Sequence, residues 1–413
     1  MFSSLHGFND VSKKFKTACC TDDWVDRMSH RTTALLLVIL GVIVTTAQYG
    51  GGTTIKCWIP AQLGKDWHEA YTNHYCWISN TYRIPMLETI PTEVDDRQDA
   101  EITYYQWVPL ILALQALLFH TPNFIWNFLN YHSGLNLRKV RDLADETQSK
   151  NPKERQDAIE AIANVIHKWI KVSKPYKTNR VHQAKSKVAQ VFCFYCSKRQ
   201  GTFITGLYLV TKMLYLVNVI GQFYLLNAFM GTGFNLYGYE YIHALSTGAL
   251  IKESPRFPRI TLCDFEIRQL QNVQRWTVQC VLPINLFNEK VFLFMWFWFV
   301  FIAFISCCSF IKWMYKVMFK SYAYSFVKKY LILTDPNLEL SSADKKLLRR
   351  FAEQYLRKDG CYVTWMIGHN STDLVVIDLI QKLWSDYKES FKPRTQPDMN
   401  SHFANSQNDM KLH

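Results

Sequence analysis

Four cysteines are the residues whose spacing most clearly points to chemistry. Cys57 and Cys76 lie in one segment of the chain, and Cys263 and Cys280 lie in another. An even number of cysteines in an oxidising compartment is typical of disulfides, so two cross-links are predicted. Four cysteines allow three pairings, and their spacing does not choose among them. The remaining cysteines are predicted to be free thiols: Cys19, Cys20, Cys193, Cys196, Cys307, Cys308 and Cys361.

Motifs for metal or cofactor chemistry are incomplete. Cys193-Phe-Tyr-Cys196 has the spacing of half a zinc site, but no second CxxC or histidine pair accompanies it. His68-Glu69 is not followed by the histidine of an HExxH motif, and Gly231-Thr-Gly233 lacks the third glycine of a dinucleotide loop. The sequence therefore predicts no metal, no cofactor and no catalytic residue. A four-helix membrane enzyme or receptor is the remote alternative.

Four uncharged or nearly uncharged apolar stretches must position the cysteines. Each is long enough to cross a bilayer as a helix, which takes roughly 20 residues. They are residues 32–55, 103–129, 201–229 and 291–311. The mean hydropathy of the whole chain is only −0.10, so a large part of it must lie in water. The net charge of +13 lies beside the apolar stretches, which argues against a nucleic-acid partner.

Charge placement predicts the topology, because Lys and Arg are retained on the cytoplasmic side. Residues 1–31, 130–200 (with fifteen Lys and Arg) and 312 onward are basic and predicted to be cytoplasmic, so both termini lie inside. Residues 56–102, with eight acidic and four basic side chains, and 230–290 are predicted to be extracellular. The predicted fold is an all-α polytopic membrane protein with four transmembrane helices, a disulfide-linked extracellular cap and a mainly helical cytoplasmic domain.

The cytoplasmic segments carry helix signals. A helix of the loop is predicted to begin at Asn151-Pro152, because asparagine is a capping residue and proline fits the first turn. A second helix is predicted after Ser341, with Gly360 as its stop, and a third from Asp373 to Trp384. These belong to a predicted helical domain at 312–387, followed by a polar tail at 388–413 that we expect to be disordered.

The second span opens with aromatic residues. Tyr104, Tyr105 and Trp107 are placed where amphipathic rings favour the headgroup layer. Pro109 and Pro122 lack backbone donors, so we expect kinks that neighbouring helices must accommodate.

One histidine and one lysine fall within the predicted spans. His120 is a functional candidate by its depth, although a hydrogen-bonded packing role is favoured near the end of the span. Lys212 is expected to extend its ammonium group to the cytoplasmic surface.

Three sequence strings resemble a known family. They are Tyr104-Tyr105-Gln106-Trp107-Val108-Pro109, Cys57-Trp58-Ile59-Pro60-Ala61, and Leu356-Arg357-Lys358-Asp359-Gly360. Together with two cysteines in each extracellular loop, they are similar to the innexins, the gap-junction proteins of invertebrates. The resemblance covers nearly the whole chain, apart from the last two dozen residues.

The resemblance implies a function and a site. Innexins form ring-shaped hemichannels, understood to be octamers, that dock between apposed plasma membranes and pass ions and small metabolites. By resemblance, we expect disulfides Cys57–Cys280 and Cys76–Cys263, lipid around the spans, and association with further copies or with other innexins. The related pannexins resemble single-membrane channels whose extracellular glycans hinder docking. Here the Asn-x-Ser/Thr sequon, Asn370-Ser371-Thr372, is in the predicted cytoplasmic part, which favours docking over a pannexin-like hemichannel.

The N-terminal segment is predicted to form a short amphipathic helix. Its apolar stripe has helical spacing and consists of Leu5, Phe8, Val11 and Phe15. Such a helix needs a surface, either the membrane face or the pore wall. The family resemblance favours the pore wall, so we expect pore-lining positions at Phe2, Ser4, Asn9 and Asp10.

Overall fold

The computed structural model describes residues 22–50, 54–60, 66–85, 88–147, 151–173, 201–231, 233–248, 254–334 and 341–390. They divide into two compact units, which are described separately. The span unit comprises Asp22–His132 and Gly206–Tyr315, and the helical unit takes its described residues from Ser133–Thr205 and Lys316–His413. The expected pore-lining positions Phe2, Ser4, Asn9 and Asp10, the pair Cys193 and Cys196, and the tail beyond residue 390 lie outside the described residues.

Four helices are long and apolar enough to cross a membrane, which confirms the predicted fold class. They are α1 (Trp24–Tyr49), α4 (Val108–Tyr131), α7 (Phe203–Met230) and α9 (Pro283–Met318). Many of their exposed side chains are apolar, such as Val38, Leu114 and Phe304, as expected for surfaces that face lipid. Helix α1 begins eight residues before the uncharged stretch, so it includes charged residues that the sequence reading had left outside the span.

The core of the span unit is formed by side chains from all four long helices. Its fully buried members include Leu37 of α1, Phe119 of α4, Val219 of α7 and Phe299 of α9. The rings of Phe119 and Phe299 lie 5.4 Å apart between centroids. Because these apolar residues recur at helical spacing, burying them brings the four helices into one bundle.

The cap contains a five-stranded antiparallel sheet in addition to helices. Its strand order is β1-β5-β4-β2-β3. The strands are β1 (Lys56–Cys57), β2 (Thr81–Tyr82), β3 (Glu101–Ile102), β4 (Ile260–Gln269) and β5 (Asn272–Val281). The cap helices are α2 (Asp66–Ile78), α3 (Val94–Gln98) and α8 (Tyr237–Ser246). Strands β4 and β5 pair along their whole length as a hairpin. Strand β1 pairs with β5 and β2 pairs with β4, so segments distant in sequence share one sheet.

The helical unit has one helix buried along most of its length, α12 (Arg357–Asn370). Its other helices are α5 (Leu137–Glu146), α6 (Pro152–Val172), α10 (Lys320–Thr334), α11 (Ser342–Arg350) and α13 (Asp373–Glu389). Helix α6 begins at Pro152 after Asn151, as its sequence predicts, but the Asn151 side chain makes no capping hydrogen bond. It presents buried Ile159, Ile162 and Ile166 at helical spacing, and α13 packs against this helix and α10.

Two expected helix breaks differ from the structure. Pro109 lies in the first turn of α4, where a helix needs no donor, so it does not kink the helix interior; Pro122 does lie inside α4. Gly360 lies within α12 and does not end a helix. The unusual backbone is at Arg357, which has φ +57° where one helical segment ends at Leu356 and α12 begins.

Candidate functional site

Two disulfides join the cap. They link Cys57 to Cys280 and Cys76 to Cys263, the pairs expected from the family resemblance. Cys57 and Cys280 are direct partners on β1 and β5, and the second disulfide ties α2 to β4. The sulfur atoms of Cys57, Cys76 and Cys280 lie within 4.8 Å of one another, so the two cross-links are adjacent. These sulfurs are already bonded, so they offer no thiolate to a metal ion.

The cysteines lie in a small apolar core of their own. Phe265 and Val278 from the hairpin are buried with them, as is Leu282 just beyond it. A core this small gains stability from covalent cross-links, because they reduce the freedom of the unfolded chain. The arrangement can hold two loops as one rigid surface.

The aromatic string at the start of α4 joins the helices to the cap. Its first residue, Tyr104, donates a hydrogen bond from its hydroxyl to the carbonyl oxygen of Arg256 at 2.9 Å. Tyr105 is buried, and its ring lies 4.9 Å from that of Trp77 on α2. Gln106 donates to the carbonyl oxygen of Trp77 and to Oδ1 of Asn80. The string therefore holds both loop segments of the cap at the end of the bundle.

Other residues around the string have separate roles. Gln48, near the end of α1, donates to the carbonyl oxygen of Tyr105 at 2.8 Å. Trp107 is 57% exposed, in keeping with a ring at a membrane interface. Pro109 follows it at the head of α4.

A carboxylate at the centre of the cap sheet collects three donors. Asp264 on β4 accepts from the Tyr82 hydroxyl at 2.9 Å, from Thr277 at 2.7 Å and from the Arg97 guanidinium at 2.6 Å. Burial favours the neutral acid, but these hydrogen bonds outweigh it and hold the pKa of Asp264 below its usual value. Arg97 lies on α3, so this network fastens the end of the first loop to the hairpin.

The hairpin tip displays an apolar side chain. Leu270 is 99% exposed and has φ +55°. A left-handed backbone costs a residue with a Cβ about 1–2 kcal/mol, and Gly or Asn is the usual choice at such a turn. Within the described chain, Leu270 is therefore not stabilised by burial, and its backbone conformation is unfavourable.

At the opposite end of α1 lies a buried ionic cluster that sequence reasoning missed. Lys212 of α7 is 3% exposed, and its ammonium group lies 2.8 Å from Oδ1 of Asp26 and 3.4 Å from Oδ2 of Asp23. It also donates to Ser309 of α9 at 2.7 Å. We define the Asp26–Lys212 cluster as these residues with two neighbours that donate to the carboxylates: Asp23, Asp26, Tyr208, Lys212, Ser309 and Trp313.

The cluster corrects the expectation for Lys212. Its ammonium group does not extend to the membrane surface, because the carboxylates of the first helix lie beside it in the span unit. A lone lysine in an apolar helix implies a buried partner, since an unpaired charge there costs several kcal/mol. That signal was present in the sequence. The partners were missed because Arg27 and Arg31 had placed residues 1–31 outside the span.

His120 belongs to a second polar contact in the same unit. Its ring lies 5.8 Å from that of His30, edge to face. Nδ1 of His30 donates to the carbonyl oxygen of Asp26 at 2.7 Å, and the Tyr215 hydroxyl oxygen lies 3.1 Å from the same nitrogen. His120 is thus a packing neighbour of a buried polar group.

Among the described residues, three cysteines are free thiols, namely Cys307, Cys308 and Cys361. Burial raises the pKa of the Cys361 thiol to about 12, so it stays protonated and unreactive.

Comparison with known proteins gives one consistent result. A family model described as Innexin matches residues 22–387. "Innexin unc-9" of Caenorhabditis elegans is 36% identical over 368 residues, covering 89% of this chain and 92% of the relative. "Innexin-19" of Caenorhabditis briggsae is 35% identical, covering 89% and 87%. "Innexin-3" of Caenorhabditis elegans is 35% identical, covering 90% and 85%.

Proposed function

Since this chain belongs to the innexin family and is a multi-pass gap-junction channel subunit, we propose that it forms a ring-shaped octamer that docks with a second ring on the apposed cell. The docked rings enclose an aqueous pore for ions and small metabolites. The observation that carries docking is the disulfide-linked cap with its projecting apolar tip. We propose a transport role without catalysis, in keeping with a channel family.

The disulfides support the proposed orientation, because they form and persist in oxidising compartments. With the cap outside, four crossings place both termini in the cytoplasm. The sequon at Asn370 then lies in the cytoplasm as well, at the end of α12, so it would not be glycosylated.

Ring assembly is supported by the exposure of the first span. In the described chain, 22% of the apolar stretch of α1 is buried, against 33% for α9, 44% for α4 and 56% for α7. A helix with that much free surface has room for neighbouring subunits and a pore. We propose that α1 faces the pore and that Phe2, Ser4, Asn9 and Asp10 line its cytoplasmic mouth. Lipid covers the outward faces, and other innexins can replace some copies in the ring.

We propose that the hairpin tip is part of the docking surface. Leu270 is solvated in the free chain, and docking against a second cap would bury it. Burying a leucine contributes about 1.5–3 kcal/mol, and several copies in a ring would act together.

The test is Leu270→Asn beside Leu270→Met. Asparagine tolerates the left-handed backbone, so the cap should fold, while the apolar contact is lost. We expect Leu270→Asn to keep surface level and single-cell hemichannel current but to lower junctional conductance roughly tenfold, the change expected for about 1.4 kcal/mol. Leu270→Met should couple like the parent protein.

Three results would contradict parts of the proposal. Normal coupling by Leu270→Asn would remove the tip from the docking surface. Hemichannel current without any junctional current from the parent protein would favour the pannexin-like alternative. Particle symmetry of the solubilised ring other than eightfold would exclude the octamer.

A further inference from the structure

The N-terminus of α7, the third span, is capped by a residue from a distant helix. Asp359 of α12 is 2% exposed, and its carboxylate accepts hydrogen bonds from the backbone N–H groups of Phe203 at 2.8 Å and Thr205 at 3.0 Å. The Thr205 hydroxyl donates to the same carboxylate at 2.8 Å. These residues form the first turn of α7 and belong to the helical unit.

Such a contact is normally made by a neighbour in sequence. The first N–H groups of a helix have no acceptor within it, so the residue just before the helix usually accepts from them. Here the acceptor lies 154 positions away from Thr205. A carboxylate in this position also interacts favourably with the positive end of the helix dipole.

The backbone next to Asp359 reinforces the contact. The N–H of Asp359 donates to the carbonyl oxygen of Gly201 at 3.0 Å. Gly201 has φ +66°, and a Cβ there would lie 2.7 Å from Cδ of Arg357. Arg357 in turn donates from its guanidinium to the carbonyl oxygen of Ser173, just after α6, at 3.0 Å. We call these four residues (Ser173, Gly201, Arg357 and Asp359) with Thr205 the Arg357–Asp359 clamp.

The clamp fixes position more than it adds stability. Burial raises the pKa of Asp359, and the donated hydrogen bonds only partly offset this. A raised carboxyl pKa contributes stability that is present below the ordinary value of 3.8 and is lost as the pH rises through the folded-state pKa. Burial therefore disfavours the charged form of this carboxyl group, so the neutral side chain of Asp359→Asn should still allow the protein to fold.

We propose that Asp359 is a positioning residue for gating: by capping α7, it couples the position of α12 to that of the first turn of the third span. Helix α7 is continuous from Phe203 to Met230, so a displacement of its first turn moves the whole span. The inference rests on the proposed channel function.

The key experiment compares Asp359→Asn, Asp359→Ala, and Asp359→Ala combined with Thr202→Asp. Thr202 directly precedes α7, so an aspartate there supplies a local cap without a link to α12. The matched control is Asp378→Asn, which removes a carboxylate of the same unit that pairs with Arg155. Hemichannel current in unpaired cells, its voltage dependence and surface labelling are measured for each variant.

We expect Asp359→Asn to reach the surface and to change the ratio of open to closed channels about tenfold, because an amide has one acceptor oxygen and cannot accept from both Phe203 and Thr205 as the two carboxylate oxygens do. The double variant should recover surface level but keep the altered gating, and Asp378→Asn should gate normally. Normal gating by Asp359→Asn, or full recovery of gating by the local cap, would overturn the proposal.

Two further outcomes are also decisive. If every Asp359 variant is absent from the surface while Asp378→Asn is present, the clamp serves folding and the positioning role is wrong. The recordings use unpaired cells, so they do not depend on docking. A failure of docking would therefore contradict only the proposed junctional function.

Discussion

The two ends of the four-helix bundle are held by different kinds of bond. The cap end has two disulfides and an antiparallel sheet, so its segments cannot separate without reduction. The other end has the Asp26–Lys212 cluster, in which three helices meet through an ion pair and hydrogen bonds. Polar contacts of this kind can exchange partners as helices shift. We call the cap the permanent end and the Asp26–Lys212 cluster the adjustable end. In the proposed function, the permanent end would dock and the adjustable end would allow the helices to move.

The largest expected effect comes from breaking the permanent end. Cys76→Ser removes the link between α2 and β4, and loss of a native disulfide typically costs about 2–5 kcal/mol. Because the cap core is small, we expect nearly complete loss of junctional current in paired cells.

Surface labelling must accompany this recording, because an unstable cap can also prevent delivery to the membrane. Cys308→Ser, which changes an exposed free cysteine, is the matched control and should couple normally. Full coupling with all four cap cysteines replaced would show that the cap needs no covalent support.

The second effect comes from the adjustable end. Lys212→Met removes the ammonium group beside the buried Asp26 and the partly buried Asp23, and breaking a buried ion pair costs about 3–5 kcal/mol. We expect a clear fall in the thermal unfolding midpoint of the detergent-solubilised protein. Adding Asp26→Asn should restore part of the loss, because one unpaired charge is then removed.

Lys290→Met is the control for this pair of variants. Its ammonium group is mostly exposed and lies 3.0 Å from Glu289, so its loss should cost less than about 1 kcal/mol. If Lys212→Met were as mild as Lys290→Met, the cluster would not hold the helices together.

The same comparison shows what could be predicted from the sequence. The four helices followed from the length and apolarity of their segments, which are local properties. The β4–β5 hairpin was not predicted, although buried Thr261, Cys263 and Phe265 alternate with more exposed residues, a pattern typical of a strand. The alternation is weak in the sequence itself, because apolar Ile260 and Leu262 lie on the more exposed face and polar Thr261 lies on the buried face.

Other features were beyond the reach of local patterns. Asp359 lies within a string that resembles the family, but nothing near it in sequence indicates that it caps a helix 154 positions away. In the sequence, nothing distinguishes Leu270 from other apolar residues. Its left-handed backbone and its exposure are known only from the structure. Contacts between distant segments depend on how the elements pack, which spacing within one segment does not report.

The smallest effect is expected from a noncovalent contact at the permanent end. Arg97→Met removes one of three donors to Asp264, in a pair that is partly exposed. We expect a loss below about 1 kcal/mol in thermal stability and little change in junctional current, since Tyr82 and Thr277 still donate and the disulfides still hold the sheet.

The pH dependence sharpens this prediction. The pKa of Asp264 lies below its usual value, so the carboxylate stabilises the cap above the ordinary value of 3.8 and loses that contribution as the pH falls through its folded-state pKa. Without Arg97 the pKa of Asp264 should move back up, so thermal stability should change less between neutral and acidic pH than in the parent protein. An unchanged pH profile would mean that Arg97 does not hold this carboxylate. If Arg97→Met abolished coupling while both disulfides were intact, covalent bonds would not be what makes the cap end permanent.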